Sequence, residues 1–326
     1  MRAVTVTEPG GPEQLTVADV PDPVPGPGEL LVRVVAAGVN RADVLQRQGH
    51  YPPPKGITDV LGLEVAGEVA ALGDGVEGWS VGDPVVALLA GGGYAELVSV
   101  PAGQCLAPPA GVDLATAASV IEVAATVVSN LDGVGLRAQE TFLMHGGAGG
   151  VGSFAIPYAS ALGATVVTTA GSPAKLDYCR GLGASAAIDY HGDWVAEVKA
   201  LTEGRGADVV LDIMGAKYLE LNVDVLARGG RLVVIGLQGG RRGTLDLARL
   251  LSKNALVTAT SLRQRPVAEK VAVVQRVGEV VWPLLAEGRI RLGSLRRFPL
   301  EQVREAHEYL VSGDSTGKLV LEVAPA

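Results

Sequence analysis

Cysteine is scarce in this sequence: there are 2 in 326 residues, Cys105 and Cys179, in neither a C-x-x-C pair nor a zinc-finger spacing. A disulfide scaffold and a four-cysteine metal lobe are thereby excluded, and two free thiols in a reducing, cytoplasmic setting are expected. Positive charge is also in the minority, with 27 Lys and Arg against 35 Asp and Glu and a net charge of −8. Nucleic acid or an anionic membrane is therefore not expected as the main partner, although a local basic pocket for a phosphate is compatible with that balance. No uninterrupted apolar stretch approaches the roughly 18 residues of a membrane helix. The opening Met1-Arg-Ala-Val-Thr-Val6 alternates like a strand and has no signal-peptide core. Neither internal repeats nor a low-complexity linker appear. With 48% hydrophobic and 19% charged residues, a disordered chain is excluded. The length suits two domains, each with its own core.

The richest segment is Thr141-Phe-Leu-Met-His-Gly-Gly-Ala-Gly-Gly-Val-Gly152. An apolar run ends in clustered glycines, a small-residue helix follows from Ser153, and Ala164 to Ala170 reads as a second strand. Strand, glycine turn, helix and strand in that order form the context of a dinucleotide-binding turn. Glycines admit a pyrophosphate close to the backbone, and the helix N-terminus offers N–H groups and a favourable dipole. Ala148, Gly149, Gly150 and Val151 are the expected contacts, although the spelling departs from G-x-G-x-x-G.

The second strand indicates which dinucleotide. An NAD site carries Asp or Glu about 20 residues past the turn to accept from the ribose 2′-hydroxyl. Here Ala170-Gly-Ser-Pro-Ala-Lys175 has no acid before Asp177. A carboxylate would repel a 2′-phosphate, whereas Ser172 and Lys175, beside Gly171, would hold it by charge-assisted hydrogen bonds. Tyr190 could add a phenolic hydroxyl. The alternative for Lys175 is a solvated helix lysine, so the missing acid is the stronger half of the argument. NADPH is expected over NADH.

Residues 1–120 read as dense short strands with turn signals: 29–36, 63–70, 83–89 and 94–100, a pattern of a β-barrel-like domain. Further on, Ala-rich helical stretches alternate with apolar runs at 141–145, 164–170, 186–188, 208–213 and 231–236, implying an α/β doubly wound parallel sheet. Residues 256–261 read as a strand and 271–285 as a helix, and the alternating tail 318–323 could return to the first domain. The expected division is 1–120, 121–285 and 286–326.

With both domains in view, the chain resembles zinc-independent medium-chain dehydrogenases/reductases of the quinone oxidoreductase (zeta-crystallin-like) family. The likeness is carried by Ala36-Ala-Gly-Val-Asn-Arg-Ala-Asp43, Leu61-Gly-Leu-Glu-Val-Ala-Gly-Glu-Val69 and Gly91-Gly-Gly-Tyr-Ala-Glu96. It continues through 145–152, Gly229-Gly-Arg-Leu-Val-Val-Ile-Gly236 and Thr316-Gly-Lys-Leu-Val-Leu321, nearly end to end. The Asn40 to Tyr51 run most resembles the tumour-suppressor-inducible branch. The resemblance implies a GroES-like β-barrel domain built from both termini around a Rossmann domain, with NADPH in the cleft, and a homodimer through the last Rossmann strand.

Zinc alcohol dehydrogenases of this superfamily place Cys near the Asn40 position and His in a Gly-His-Glu segment; here Asn40 and Leu63 stand there, with Glu122 near the third position. An amide and a leucine cannot complete the usual tetrahedral N/S set, so no metal is expected. Without a Lewis acid, oxidising an alcohol is difficult, while a quinone or α,β-unsaturated carbonyl accepts hydride into a conjugated system. By position, the resemblance implies Asn40 beside the nicotinamide ribose and acceptor, Tyr51 lining the quinone site, and Thr126 orienting the carboxamide. It also implies Gly236 and Leu237 beside the nicotinamide, Ser261 and Leu262 on a later loop, and Lys318 approaching from the C-terminal segment. Asn40 could equally be a turn residue, and Tyr51 could merely pack on Pro52–Pro54. Ile121, Val128 and Gly149 depart from residues frequent in relatives and bear on both sites. His145, at the inner end of a strand, reads as a buried neutral histidine rather than a base; His191 and His307 read as surface residues. An NADPH:quinone oxidoreductase leads, followed by an NADPH-dependent alkenal or enoyl reductase, then a non-catalytic NADPH-binding redox sensor.

Overall fold

The computed structural model describes residues 1–323, and by chain contacts it divides into two compact units. The first comprises Met1–Ala125, Leu262–Gly288 and Ser294–Ala326; the second comprises Thr126–Ser261 and Arg289–Gly293. Residues 262–285, placed with the nucleotide-binding domain by the sequence reading, pack within the first unit.

The first unit opens with β1 (Arg2–Val6), β2 (Leu15–Asp19), β3 (Glu29–Val39), α1 (Arg41–Arg47), β4 (Glu64–Leu72), β5 (Pro84–Leu88), β6 (Leu97–Pro101), β7 (Cys105–Leu106) and α2 (Leu114–Ala117). Helix α3 (Ile121–Val134) carries the chain onward. The second unit then alternates β8 (Thr141–His145), α4 (Gly150–Ala161), β9 (Thr165–Ala170), α5 (Pro173–Gly181), β10 (Ala186–Asp189), α6 (Trp194–Leu201) and β11 (Ala207–Asp212). It continues with α7 (Leu219–Val225), β12 (Leu226–Val234), α8 (Leu247–Lys253) and β13 (Leu256–Ala259). The returning chain forms α9 (Val267–Val280), α10 (Trp282–Ala286), β14 (Leu295–Pro299), α11 (Val303–Val311) and β15 (Lys318–Glu322).

In the second unit six strands lie in the order β10-β9-β8-β11-β12-β13, every adjacent pair parallel. This is the 3-2-1-4-5-6 order of a Rossmann sheet, as expected. Its central strand is buried at all five positions, the sign of a parallel strand covered on both faces. Leu143, Val167, Ile188, Trp194, Val210 and Leu232 belong to its core. Strand β12 starts at Leu226 and stops at Val234, earlier than the sequence pattern indicated, which leaves Ile235 to Leu237 in the loop beyond it.

The first unit is built on a mixed sheet, β14-β15-β3-β4-β5-β7, with β6 also paired to β3. Only β14 and β15 run parallel; the other pairs are antiparallel. The alternating tail does return here, Leu319 opposite Val39 and Leu321 opposite Ala37. Long β3 bends at register shifts against β4. Gly67 sits at that bend because a Cβ there would overlap the Arg33 carbonyl.

Two expectations need correction. The helical stretch Leu114–Val134 is long and apolar enough to cross a membrane, although most of it is buried inside the protein, as in a core helix. Its few polar residues had concealed the run. His307 is not at the surface: it is fully buried on α11. Its Nδ1 lies 3.3 Å from Arg47 Nη1 and its Nε2 3.4 Å from the Tyr94 hydroxyl. Tyr94 in turn donates to Asp43 at 3.0 Å, and Asp43 also accepts from the backbone N–H of Asn40 at 2.7 Å and of Gly62 at 3.2 Å.

His145 is buried as expected, between Asn222 (2.7 Å) and Thr169 (3.1 Å), and packs edge-on to Trp194 and Tyr218. Burial pushes its pKa down to about 4. Burial, then the charge of Arg47, pushes His307 down to about 3. Burial raises Asp43 to about 6 despite the N–H groups it accepts. As pH falls from about 6.5 to 4, the unfolded chain takes up two histidine protons that the fold refuses, which favours unfolding. Asp43 acts oppositely, because the fold takes its proton at higher pH than the unfolded chain does. Two groups outweigh one. Urea unfolding should therefore show roughly 2–4 kcal/mol less stability at about pH 4.5 than at about pH 7.5. Equal or greater stability at the acid end would contradict neutral buried histidines.

Candidate functional site

The nucleotide-binding features lie at the carboxyl ends of β8 and β9. Gly146 turns the chain out of β8 with φ +74°, a conformation that favours glycine. A Cβ on Gly147 would overlap Thr168 Oγ1, and one on Gly152 would stand 2.5 Å from the Gly146 carbonyl oxygen. Helix α4 thus starts tight against the turn. Its N-cap, Gly149, brings no capping side chain. The first N–H groups of a 12-residue helix are therefore presented beside glycine, Ala148 being 5% exposed. Such a helix start has the features that fit a pyrophosphate. A Cβ on Gly149 would meet only the Gly146 carbonyl at 3.5 Å, so the space admits a small side chain.

At the end of β9, Ser172 caps α5, its Oγ accepting from the Lys175 N–H at 3.4 Å. The hydroxyl hydrogen remains available to donate, and Lys175 rises from the first turn of the same helix. A Cβ on Gly171 would overlap the Tyr190 hydroxyl, so the phenol lies directly on this backbone. Ser172, Lys175 and Tyr190 thus belong to segments that meet at one strand end, with no carboxylate from 170 to 176. The residues present fit a 2′-phosphate.

Gly236 follows β12, where a Cβ would stand 2.8 Å from the Ile213 carbonyl, and Leu237 beside it is 58% exposed. The Thr126 carbonyl accepts from Asn130 Nδ2 at 2.7 Å, and Asn130 Oδ1 accepts from Thr260 at 2.6 Å. This ties Thr126 to the chain just before exposed Ser261.

In the first unit, three segments far apart in sequence meet in one buried cluster. Lys318, at the start of β15, is 7% exposed, and its Nζ donates to Asn40 Oδ1 and to Glu64 Oε1, both at 2.6 Å. Asn40 Nδ2 donates to the same Glu64 Oε1 at 2.9 Å. Glu64 Oε2 accepts from the Glu122 N–H at 2.9 Å, in the first turn of α3, where the helix dipole also favours an anion. Asn40 is thereby held among charged groups, and Lys318, expected to approach the cofactor, has its ammonium turned onto this pair. Sequence reading missed Glu64, whose partner lies 254 positions away. Leu63 beside it is buried and offers no ligand atom.

Arg263 was also missed. It is 4% exposed and donates to the Ala90 carbonyl and to Gln46 Oε1, each at 2.7 Å, and to the Tyr51 carbonyl at 3.3 Å. Its guanidinium lies over the Tyr51 ring, 5.3 Å from the centroid. Tyr51 is therefore anchored at backbone and ring by the residue following Leu262. Two of the three Arg263 acceptors are backbone carbonyls, which leave no trace in sequence periodicity.

A Rossmann-order sheet with a glycine turn, together with a second unit built on a mixed sheet, is the make-up of a medium-chain dehydrogenase/reductase. The comparisons agree. Residues 26–110 match the family model described as the alcohol dehydrogenase GroES-like domain, and residues 150–277 match that described as zinc-binding dehydrogenase. The chain belongs to the quinone oxidoreductase family of this superfamily. It is 37% identical over 317 residues to a quinone oxidoreductase of Pseudomonas aeruginosa, covering 96% of each chain. The structure of Escherichia coli quinone oxidoreductase complexed with NADPH is similar at TM-score 0.90 and 31% identity, with 99% of this chain and 100% of that one covered. A third similar structure, CurK enoyl reductase, has TM-score 0.87 and 26% identity over 99% of each chain.

Gly38 leaves the room that Glu64 fills, since a Cβ there would overlap Glu64 Oε1. Gly38→Ala should cost roughly 1–3 kcal/mol of stability and displace the carboxylate from Asn40. Gly133→Ala on α3, where nothing stands within 4 Å, should cost nothing. Thermal unfolding of both variants checks the contrast; equal melting temperatures would show that the space at Gly38 is not constrained.

Proposed function

We propose that this protein is an NADPH-dependent quinone oxidoreductase that works without a metal. The observation that carries the reading is full-length likeness to quinone oxidoreductases, one of them complexed with NADPH. The chain's own residues are of the kinds required. The helix α4 N-terminus, with Ala148, Gly149, Gly150 and Val151, takes the pyrophosphate. Gly171, Ser172, Lys175 and Tyr190 take the 2′-phosphate, while Thr126, Gly236, Leu237, Ser261 and Leu262 are assigned to the nicotinamide end; Lys318, expected there, bonds instead to Asn40 and Glu64. NADPH supplies a hydride when bound. Asn40 and Tyr51 serve the acceptor: the phenol donates to the oxygen that gains charge as the acceptor is reduced. The likeness to an enoyl reductase favours an alkenal or enoyl acceptor as the second reading.

The deciding experiment follows NADPH oxidation with 9,10-phenanthrenequinone, 1,4-benzoquinone and a 2-alkenal, before and after prolonged chelation. Turnover with both quinones, unaffected by chelation, is expected. Turnover with the alkenal alone would install the enoyl reductase reading, and NADPH binding without any turnover a redox sensor. Activity lost along with stoichiometric zinc would end the metal-free assignment.

Lys175→Ala should narrow the preference for NADPH over NADH about tenfold or more, the value of one charge-assisted contact. Equal affinity of the unmutated protein for both cofactors would sink the phosphate site. Tyr51→Phe should lower quinone turnover while the NADPH dissociation constant stays within about twofold. If Tyr51→Phe matches the original rate while Tyr51→Ala does not, the ring is a packing wall.

We further propose a cytoplasmic homodimer. Its two cysteines are buried free thiols. Edge strand β13 and helix α8 expose Leu256, Leu247 and Leu251 at 50%, 62% and 75%, and an open apolar edge invites a second copy. A monomer mass by light scattering at micromolar concentration, or recovery outside the cytosolic fraction, would count against these assignments.

A further inference from the structure

The cluster around Glu64 settles a question of orientation. A carboxamide has an oxygen that only accepts and a nitrogen that only donates, and the two can exchange places by a half-turn. At Asn40 the exchange is blocked on both sides. The Lys318 ammonium has only donors, so the amide edge 2.6 Å from it must be Oδ1. The Glu64 carboxylate has only acceptors, so the edge 2.9 Å from it must be Nδ2. A turned amide would set N–H against ammonium and oxygen against carboxylate.

The clamp is itself rigid. Glu64 is fully buried and accepts from three donors: Lys318 and Asn40 on Oε1 and the α3 backbone on Oε2. Lys318 has its two short bonds within the cluster and a third contact to the Val39 carbonyl at 3.4 Å. Backbone holds Asn40 too, its N–H on Asp43 at 2.7 Å. Nδ2 carries two hydrogens, and Glu64 takes one. Among the described residues no other group accepts from Nδ2, and Asn40 remains 8% exposed.

We propose that Glu64 and Lys318 are positioning residues: together they lock the Asn40 carboxamide so that it offers its remaining N–H to the oxygen of a carbonyl acceptor. This rests on the quinone oxidoreductase reading and narrows it. The substrate class favoured is one whose oxygen gains charge during reduction, since a fixed donor acts most strongly on that charge. The buried ion pair is kept for orientation more than for stability, because a buried pair contributes little net stability over apolar replacements.

The test removes both charges together, so that neither is left alone in the interior. The double variant Glu64→Gln/Lys318→Met is expected to melt near the original temperature and to bind NADPH within about twofold, while kcat with 1,4-benzoquinone falls about tenfold or more. A purely structural pair would let kcat recover along with stability, and kcat within about threefold of the original in the folded double variant would overturn the proposal. The unmutated protein supplies a second reading that needs no variant. Of the two side-chain Nδ2 hydrogens of Asn40, the one bonded to Glu64 should exchange slowly with solvent in 15N–1H spectra. Fast solvent exchange of both hydrogens would overturn the clamp even if quinone turnover is normal. Absence of quinone turnover in the unmutated protein would instead sink the functional reading, leaving a pinned amide in place.

Discussion

The first unit is organised around one carboxylate that has no access to water. Glu64 is fully buried, and an ion of that size costs several kcal/mol to desolvate unless charge and hydrogen bonds replace the lost water. What replaces it comes from three directions: Lys318 at the start of β15, Asn40 at the end of β3, and the first turn of α3. Two of these belong to strands paired side by side, with Val320 opposite Gly38. The third is a helix that begins more than fifty positions later in the chain. The carboxylate therefore tolerates its place only when the chain's early strands, its middle helix and its last strand are all assembled. Glycine at 38 follows from the same demand, because the carboxylate occupies the volume of a β-carbon there.

A second polar chain, Asp43–Tyr94–His307–Arg47, runs through the same unit. It joins the Glu64 cluster through the Asn40 backbone. Such networks are safe only when nearly every member is satisfied, which couples residues from six segments of the chain. Asp43 accepts from Asn40 and Gly62, the residues that precede α1 and Leu63. One side chain thus sets the start of α1 and the approach to β4 together, and with them the position of the Asn40 amide.

Much of the second unit was legible in the sequence, because its chemistry is backbone chemistry. Apolar runs of strand length, glycines at a turn and a missing acid at the end of β9 are local signals, and the parallel sheet has the expected order. The first unit was legible as strands but not as a site. Asn40 drew notice through its motif, yet Glu64 did not, since a glutamate in an alternating strand reads as solvent-facing. His307 was misplaced for a similar reason: its neighbours Glu305 and Glu308 suggest a surface helix. The signal that could have found it is spacing, since Val303, Ala306, His307 and Leu310 lie on one helical face. Arg263 left no such trace, because two of its three acceptors are backbone carbonyls.

The proposed sites of the two units would hold a polar ligand by opposite means. In the second, side chains are removed: glycine brings the backbone close, and unpaired helix N–H groups do the work. Such a site is insensitive to protonation and to rotamer, which suits a cofactor that every turnover shares. In the first, side chains are added and then immobilised by one another, Asn40 by Lys318 and Glu64, Tyr51 by Arg263. A site of that kind can change its ligand by changing one supporting residue, without disturbing the sheet beneath it. Variation in acceptor among proteins of this fold is then expected at the supports as much as at Asn40 and Tyr51. The glycine turn before α4 has less freedom to change, since a side chain at Gly147 would strike Thr168 and one at Gly152 the Gly146 carbonyl.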